Sequence, residues 1–402
     1  MATTNPPLRC PWAEQGLALH NTGRALLCCH SRSYLEDDNG DWIYWHSHTL
    51  DNAWNSKTRH EIISSLAQGV EHPNCEACWQ EERAGRKSRR LHAVEQFDLP
   101  ESNSPKLIDL KLGNTCNLAC TMCWPEVSSK WLADYYHVYE DPNIIYSDYK
   151  QRWASVQKSY DRENHQLWND LKEILPNAAH LDIFGAEPFL LDRLWDILEW
   201  NVKSGHSENQ TLHINTNATV WNDQYVDIVN RYKYLNLDLS IDAYDSLFEY
   251  IRYGAEWQST KENIKKWSNF HSEQNHVDVC ICITVSTANI YYLDDIFEEL
   301  SSLGLNCFFN LVHMPAHQSI IALPDTVKQT IKDKLVKNTQ SDYQNQIQGV
   351  VDFMMLDDPD QEANWQEWIR STAALEKRRG NSLRSAAPEF TSMLDQLGYV
   401  LP

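Results

Sequence analysis

The sequence predicts an α/β fold. A partial (β/α)6 barrel covers residues 105–320, an N-terminal module with a β-hairpin covers 1–104, and a helical region covers 321–402. Three observations lead there. Short strand-like runs alternate with helix-periodic stretches through the middle of the chain, the pattern of parallel α/β units. Those strands carry aliphatic residues on one face and polar residues on the other. Cysteines crowd the first third, where eight of the eleven lie.

The six expected strands are Leu107–Leu112, His180–Phe184, Leu212–Asn217, Leu235–Asp242, Val277–Val285 and Cys307–Val312, with helices such as Leu191–Val202 and Leu293–Leu303 between them. Six strand-helix repeats make a partial barrel rather than a closed eight-fold one. In Leu235–Asp242 one face is wholly aliphatic, while the other is Asn236, Asp238, Ser240 and Asp242; Val277–Thr284 splits in a similar way. The aliphatic face must pack under helices, so polar groups point inward. Asp109, Lys111, Asp182, His213, Asn215, Asp238, Ser240, Asp242 and Thr284 are the expected cavity lining. A buried polar network that holds the strands in register is the alternative for part of this set.

Before the barrel, Gly16–Cys28 reads as a β-hairpin turning at Asn21-Thr22-Gly23. Cys75 and Cys78 form a C-x2-C pair at a helix start. Cys29, pointing away from Cys28 on a strand, reads as a packed thiol, with substitution for Cys28 as a ligand the alternative. Residues 88–106, with Pro100, Pro105 and several serines, read as a linker. After Cys123 an aromatic excursion holding Tyr135, Tyr136, Tyr139, Tyr146 and Tyr149 is a candidate lid or substrate-recognition element, or else a helical decoration. Near the C-terminus, Asp357-Asp-Pro-Asp360 breaks the helical pattern, and Trp365, Trp368 and Ile369 form a packing stripe. His313 and His317 have i,i+4 spacing, but Pro315 between them argues against a metal pair.

Composition narrows the function. A formal charge of −21 over 402 residues opposes binding to nucleic-acid phosphates. The basic run Arg83, Arg86, Lys87, Arg89 and Arg90 reads as a solvated helix face, with contact to an anionic substrate as the alternative. No apolar run reaches membrane-spanning length, and the N-terminus lacks a secretory pattern, so the expected location is the cytosol, with no membrane partner. Cysteines in a reducing compartment are metal ligands or buried thiols rather than disulfides. Sixteen tryptophans, with Trp42, Trp45, Trp54, Trp79, Trp124 and Trp131 near the cysteines in sequence, are expected to pack the core and to shield the metal sites.

The most specific signal is Gly113-Asn-Thr-Cys-Asn-Leu-Ala-Cys-Thr-Met-Cys-Trp124, directly after the first barrel strand. Iron–sulfur cubanes normally take four cysteine thiolates. Cys116, Cys120 and Cys123 supply three, which leaves one iron of a [4Fe–4S] cluster open to another ligand. Structural zinc sites more often use paired C-x2–4-C units and close all four positions.

With that loop in place the chain resembles the radical S-adenosylmethionine (radical SAM) enzymes, which are built on a partial TIM barrel. Gly185-Ala-Glu-Pro188 is similar to the family's Gly-Gly-Glu-Pro segment, Thr216-Asn-Ala218 to its Thr-Asn-Gly, and Met122 stands where an aromatic residue usually precedes the third cysteine. The resemblance implies SAM contacts from Met122, Gly185, Ala186, Glu187, Thr216, Asn217, Ser240, Asp242 and Arg252. Glu187 would take the amino group, Ser240 and Asp242 the ribose, and Arg252 the carboxylate. It further implies an external low-potential electron donor such as flavodoxin or ferredoxin.

Cys10, Cys28, Cys75 and Cys78 resemble the auxiliary-cluster modules called twitch and SPASM, with Gly23 and Cys28 keeping the Gly-x4-Cys spacing. A second, auxiliary [4Fe–4S] cluster is the implied occupant, with zinc as competitor. This module precedes the barrel, whereas in the family it usually follows. The expected reaction is hydrogen abstraction from a peptide or protein side chain. The same chemistry on a sugar, cyclitol or amino acid is the first alternative, and a non-catalytic electron-transfer or sensor protein the second. Cys280, Cys282, Asp182 and His213 are the candidate catalytic residues; core burial is the competing reading for the two cysteines, and for Cys307.

Overall fold

In the computed structural model, residues 8–45, 47–83, 87–139, 151, 160, 165–338 and 343–401 are described. The eight strands are β1 (Gly16–Leu19), β2 (Ala25–Leu26), β3 (Leu107–Leu110), β4 (His180–Ile183), β5 (Thr211–Thr216), β6 (Tyr234–Ser240), β7 (Val277–Val285) and β8 (Asn306–Leu311). They form one open sheet in the order β2-β1-β3-β4-β5-β6-β7-β8. This is the partial barrel expected from the alternation. The six barrel strands fall within two residues of their expected bounds; β5 and β6 show the period-2 alternation of half-buried strands, while β3 and β4 are buried on both faces. In β5, Leu212, Ile214 and Thr216 are buried while Thr211, His213 and Asn215 are half-buried.

The chain divides into two compact units, one of Met1–Asn114, Lys150–Ile214 and Asn222–Leu235, the other of Thr115–Tyr149, Asn215–Trp221 and Asn236–Pro402. In the first, β1 and β2 are antiparallel (Ala18↔Leu26, Leu19↔Ala25), and Gly23, at φ +83°, closes the turn. The hairpin has a second role. Strand β1 pairs in parallel with β3, Gly16↔Leu107 through Leu19↔Leu110, and so forms part of the main sheet. Parallel pairing continues through β3–β4 and β4–β5, which sets Ala18, Asp109, Asp182 and His213 in one row on the same face. The helix Asp192–Lys203 buries Leu194, Trp195, Ile197, Leu198 and Asn201, an i, i+3, i+4, i+7 stripe.

Three sequence expectations need correction in this unit. The hairpin strand ends at Leu26, so Cys28 and Cys29 lie in the bend and turn that follow rather than on a strand. The stretch 88–106 is not all linker. Ser88 caps the helix Arg89–Gln96, its hydroxyl accepting from the Leu91 N–H at 3.2 Å. The basic run is not a solvated face either. Arg89 pairs with Asp182 at 3.0 Å and Arg90 with Glu82, its Nε 2.9 Å from Oε1. Arg83, bound to Glu71 and Glu76, and Lys87, bound to Glu95, are exposed and do fit that reading, and Arg86 lies outside the described residues.

In the second unit, β7 and β8 are parallel from Cys280↔Asn306 to Val285↔Leu311. The helix Leu293–Ser301 buries Leu293, Ile296, Phe297 and Leu300. The helix Gln361–Arg379 ends at Gly380, whose φ of +69° is the left-handed cap that glycine adopts most readily. Trp365 and Trp368 stack at 4.8 Å and are buried, with Ile369 half-buried beside them. His317 hydrogen-bonds Tyr139 and His313 packs on Phe353, so the two imidazoles have separate partners. Of the aromatic excursion, Tyr135, Tyr136 and Tyr139 lie on the helix Trp131–Tyr139, and Tyr146 and Tyr149 fall outside the described residues. Among the described residues no helix is long and apolar enough to cross a membrane.

Candidate functional site

The second unit carries the three-cysteine loop. Cys120 is buried, and Cys116 and Cys123 are half-buried. The loop backbone is pinned by main-chain bonds, Ala119 N–H to Tyr253 O at 2.9 Å and Thr121 N–H to Ile251 O at 2.8 Å. Gly254 lies against it at φ +101°, and a Cβ there would come 3.3 Å from the Asn117 carbonyl oxygen. On the other side the Trp131 indole N–H donates to the Cys120 carbonyl at 2.6 Å, and the Arg379 guanidinium lies 4.9 Å from the Trp131 ring and 4.6 Å from the Tyr253 ring.

Asn217 ties its own segment to the same loop. Its amide donates to Asn117 Oδ1 at 2.9 Å and approaches Cys116 Sγ at 3.9 Å, while Asn117 donates to Thr219 Oγ1 at 2.8 Å. The short turn this needs has Ala218 at φ +60°, with Thr216 Oγ1 accepting from the Ala218 N–H at 3.2 Å. The glycine of Thr-Asn-Gly has a physical reason here, since this position is left-handed.

Arg252 and Asp242, expected at the cofactor's carboxylate and ribose, have partners within the protein. They pair with each other at 2.8 Å, and both are buried. Asp242 Oδ1 also accepts from the Thr284 N–H at 2.8 Å, and Arg252 Nη1 lies 4.0 Å from Cys120 Sγ. The Cys120 thiol is held below its usual range because it accepts a hydrogen bond from Cys123, with Arg252 adding to the effect. The Cys123 thiol is driven up by donating that bond, by burial and by the adjacent sulfurs. A buried guanidinium 4.0 Å from the Cys120 sulfur favours the thiolate there, and three cysteines in one loop are a donor set that fits an iron–sulfur cluster. Met122 is buried; Ser240, at the end of β6, is half-buried. Cys282 is buried, Cys280 is half-buried beside Asp278, and desolvation pushes the Cys280 thiol up to about 12.

In the first unit, Glu187 is fully buried, and its Oε1 accepts from the Phe189 N–H at 3.1 Å. Gly185 and Ala186 before it have φ of +77° and +53°. The family's double glycine thus meets a second left-handed position filled by alanine. Asp182 Oδ1 accepts from His180 Nε2 at 2.7 Å and His213 Nδ1 at 3.0 Å, while Oδ2 faces Arg89. Burial would raise the Asp182 carboxyl, but the two imidazoles outweigh it and hold it well below the usual range. Asp109, in the same row, is fully buried near Arg89, Lys111 and Cys29, and burial pushes its carboxyl up to about 6. The barrel face is therefore polar, as expected, but around Asp182 it is a bonded network. His180 was not anticipated as a member; its i,i+2 spacing from Asp182 was the available signal.

The four N-terminal cysteines converge. Desolvation pushes the Cys10 thiol up to about 12, with Cys75 and Cys78 contributing, and the Cys28 thiol to about 12, with Cys10 contributing. Cys75 rises to about 11 through desolvation and Cys78. Cys10 sits at the N-cap of Pro11–Gln15, Cys75 ends the turn Pro73–Cys75, and Cys78 lies in the first turn of Glu76–Arg83. Thiols gathered out of water are costly to ionise together unless a metal compensates. Of the neighbouring tryptophans, Trp45 and Trp79 are buried, whereas Trp42 is 44% exposed and lies against Arg24.

An open α/β barrel with a three-cysteine loop after β3 is an arrangement suited to holding an iron–sulfur cluster. Residues 110–300, just under half of the chain, match the family model of the radical SAM superfamily. SkfB of Bacillus subtilis (strain 168), a sporulation killing factor maturation protein, is 22% identical over 239 residues, 59% of this chain and 48% of SkfB. The chain spans about half the length of this curated relative. Similar solved structures include SuiB of Streptococcus suis bound to S-adenosylmethionine, at TM-score 0.34 and 11% identity over 80% of this chain and 66% of SuiB. Another is anSMEcpe with bound AdoMet and Cp18Cys peptide, at TM-score 0.35 and 13% identity over 57% and 58%.

Proposed function

We propose that this chain is a radical SAM enzyme that removes hydrogen from a side-chain carbon of a peptide or protein. The observation that carries the reading is the Cys116, Cys120 and Cys123 loop, pinned by main-chain bonds and backed by the buried Arg252–Asp242 pair. These three thiolates hold a [4Fe–4S] cluster with one open iron. The chemistry supplied there, once cluster and SAM are bound, is reductive cleavage to a 5′-deoxyadenosyl radical. Arg252 stabilises negative charge at Cys120, and Asp242 keeps the guanidinium in place. Glu187 takes the cofactor's amino group, with Gly185 and Ala186 presenting backbone to it, and Met122, Thr216, Asn217 and Ser240 complete the contacts.

The Cys10, Cys28, Cys75 and Cys78 set holds an auxiliary [4Fe–4S] cluster. Tetrahedral zinc on the same four thiolates is the competing occupant. The peptide-directed reading draws on the similarity to SkfB. A cytoplasmic location and a low-potential donor such as flavodoxin or ferredoxin complete the proposal.

Iron analysis and SAM turnover test it. Anaerobic reconstitution should give about eight irons per chain, and replacing Cys116, Cys120 and Cys123 together with alanine should leave about four and stop release of 5′-deoxyadenosine. Full iron content in that variant would defeat the assignment.

A further inference from the structure

The second unit holds a cavity of about 320 Å³ whose wall includes Cys123. Trp124, Tyr135 and Tyr139 supply three aromatic side chains, and Glu126 supplies a carboxylate. His317 closes one side, and its Nε2 lies 3.3 Å from the Tyr139 hydroxyl. Burial lowers the His317 imidazole from its usual range, so it is neutral near pH 7. Apart from the cluster ligand Cys123, Glu126 then brings the single formal charge to the lining. The Tyr135 and Tyr139 rings lie 4.6 Å apart, and Tyr139 is further fixed by Arg370, whose guanidinium is 5.4 Å from its ring and donates to the Val138 carbonyl at 2.6 Å.

Aromatic faces with an adjacent carboxylate attract a cation more than a neutral group of the same shape, because the ring quadrupole and the formal charge act together once water is displaced. The formal charge of −21 on the chain acts in the same direction at long range. We propose that this cavity receives a cationic side chain of the peptide substrate, lysine or arginine, and seats that residue beside Cys123. The assignment rests on the peptide-directed radical SAM reading and adds to it the chemical class of residue recognised. Trp124, Tyr135 and Tyr139 enclose the aliphatic stem and the charged head, and Glu126 faces the ammonium or guanidinium. A residue bound there is placed next to the cluster-bearing loop, so it either reacts or fixes the register of the one that does.

Calorimetric titration of the reconstituted full chain with the blocked tripeptide acetyl-Ala-Lys-Ala-amide and with its norleucine counterpart tests the cavity apart from turnover. The lysine probe should bind about ten-fold more tightly, equivalent to about 1.4 kcal/mol. Glu126→Gln should abolish that preference, Glu126→Asp should keep part of it, and norleucine binding should be equal in all three proteins, which verifies that the cavity is intact. S-adenosylhomocysteine should not displace the probe. Equal binding of the two probes, a preference that survives Glu126→Gln, or displacement by S-adenosylhomocysteine would overturn the proposal, the last by assigning the cavity to the nucleotide. A lysine preference in protein that neither takes up iron at Cys116, Cys120 and Cys123 nor cleaves SAM would support the cation site and defeat the radical reading instead.

Discussion

Replacing Arg252 with methionine removes the partner of a carboxylate that has no access to water. Asp242 is fully buried and Arg252 nearly so, with 2.8 Å between guanidinium and carboxylate. At an effective dielectric constant of about 20, charges at that separation attract by roughly 6 kcal/mol, most of it offset by the desolvation of both ions. Breaking such a pair from one side costs about 3–5 kcal/mol, because the remaining charge is stranded. The hydrogen bond from the Thr284 N–H to Asp242 Oδ1 survives the change, which places the expected loss near 3 kcal/mol. Adding Asp242→Asn neutralises the stranded group and leaves an oxygen to accept from Thr284. The double variant should therefore recover about 2 kcal/mol of the loss. Urea titration of the apo chain, followed by tryptophan fluorescence, reads both as midpoint shifts; at a slope of about 3 kcal/mol/M the single variant moves by about 1 M. If single and double variants shift equally, Asp242 is not the stranded charge and the account of this pair is wrong.

The Asp109 carboxyl, raised by burial to about 6, binds its proton more tightly folded than unfolded, so its contribution to stability is complete below the unfolded value near 3.8 and is lost as pH rises through about 6. Asp109→Asn should be close to neutral at pH 4 and more stable than the parent by up to about 3 kcal/mol at pH 8, measured as the difference in urea midpoint across that range. Gly254→Ala should strain the cysteine loop, because φ +101° is hostile to a side chain and the added Cβ meets the Asn117 carbonyl at 3.3 Å; the expected reading is reduced iron uptake at the first cluster with the auxiliary iron retained. Ala186→Gly relieves a left-handed alanine at φ +53° and should raise stability by about 0.5–1 kcal/mol after the entropy of the added glycine, read by thermal melting. Glu187→Gln should weaken SAM binding by about 10- to 100-fold, the worth of a hydrogen bond to a charged group, as measured by equilibrium dialysis.

The sheet and the cysteine loop were legible for different reasons. Strand positions follow from period-2 alternation such as Leu212, Ile214 and Thr216 against Thr211, His213 and Asn215, a local signal that survives whatever the strand pairs with. The C-x3-C-x2-C loop is legible because spacing fixes its ligand chemistry within eight residues. What the sequence hid was partnership across long separations. Arg89 lies in a run of basic residues that looked solvent-facing, yet it reaches a carboxylate 93 positions away. Arg252 and Asp242 were read as contacts to a ligand, and the fold in addition joins them as a buried ion pair that their separation in sequence did not signal. The β1–β2 hairpin was recognisable by its turn, whereas its docking beside β3 rests on main-chain bonds that leave no mark in side-chain pattern.

The two alanines in place of family glycines, Ala186 and Ala218, show where sequence and geometry inform each other. Both occupy left-handed backbone, at φ +53° and +60°, in the turns that follow β4 and β5. Either departure alone could pass as drift at a tolerant position. Two at the same kind of position mean that the surrounding structure holds these turns strongly enough to absorb about 1–2 kcal/mol of strain at each. Asn217 shows how the second turn is held: its Oδ1 accepts from the Thr219 N–H at 3.0 Å and its amide donates to Asn117, while the Asn263 amide donates to the Ala218 carbonyl at 3.0 Å. The turn is thus part of the same bonded framework as the cysteine loop. A substitution at Asn263, far from any cysteine in sequence, should loosen that loop before it affects the strands.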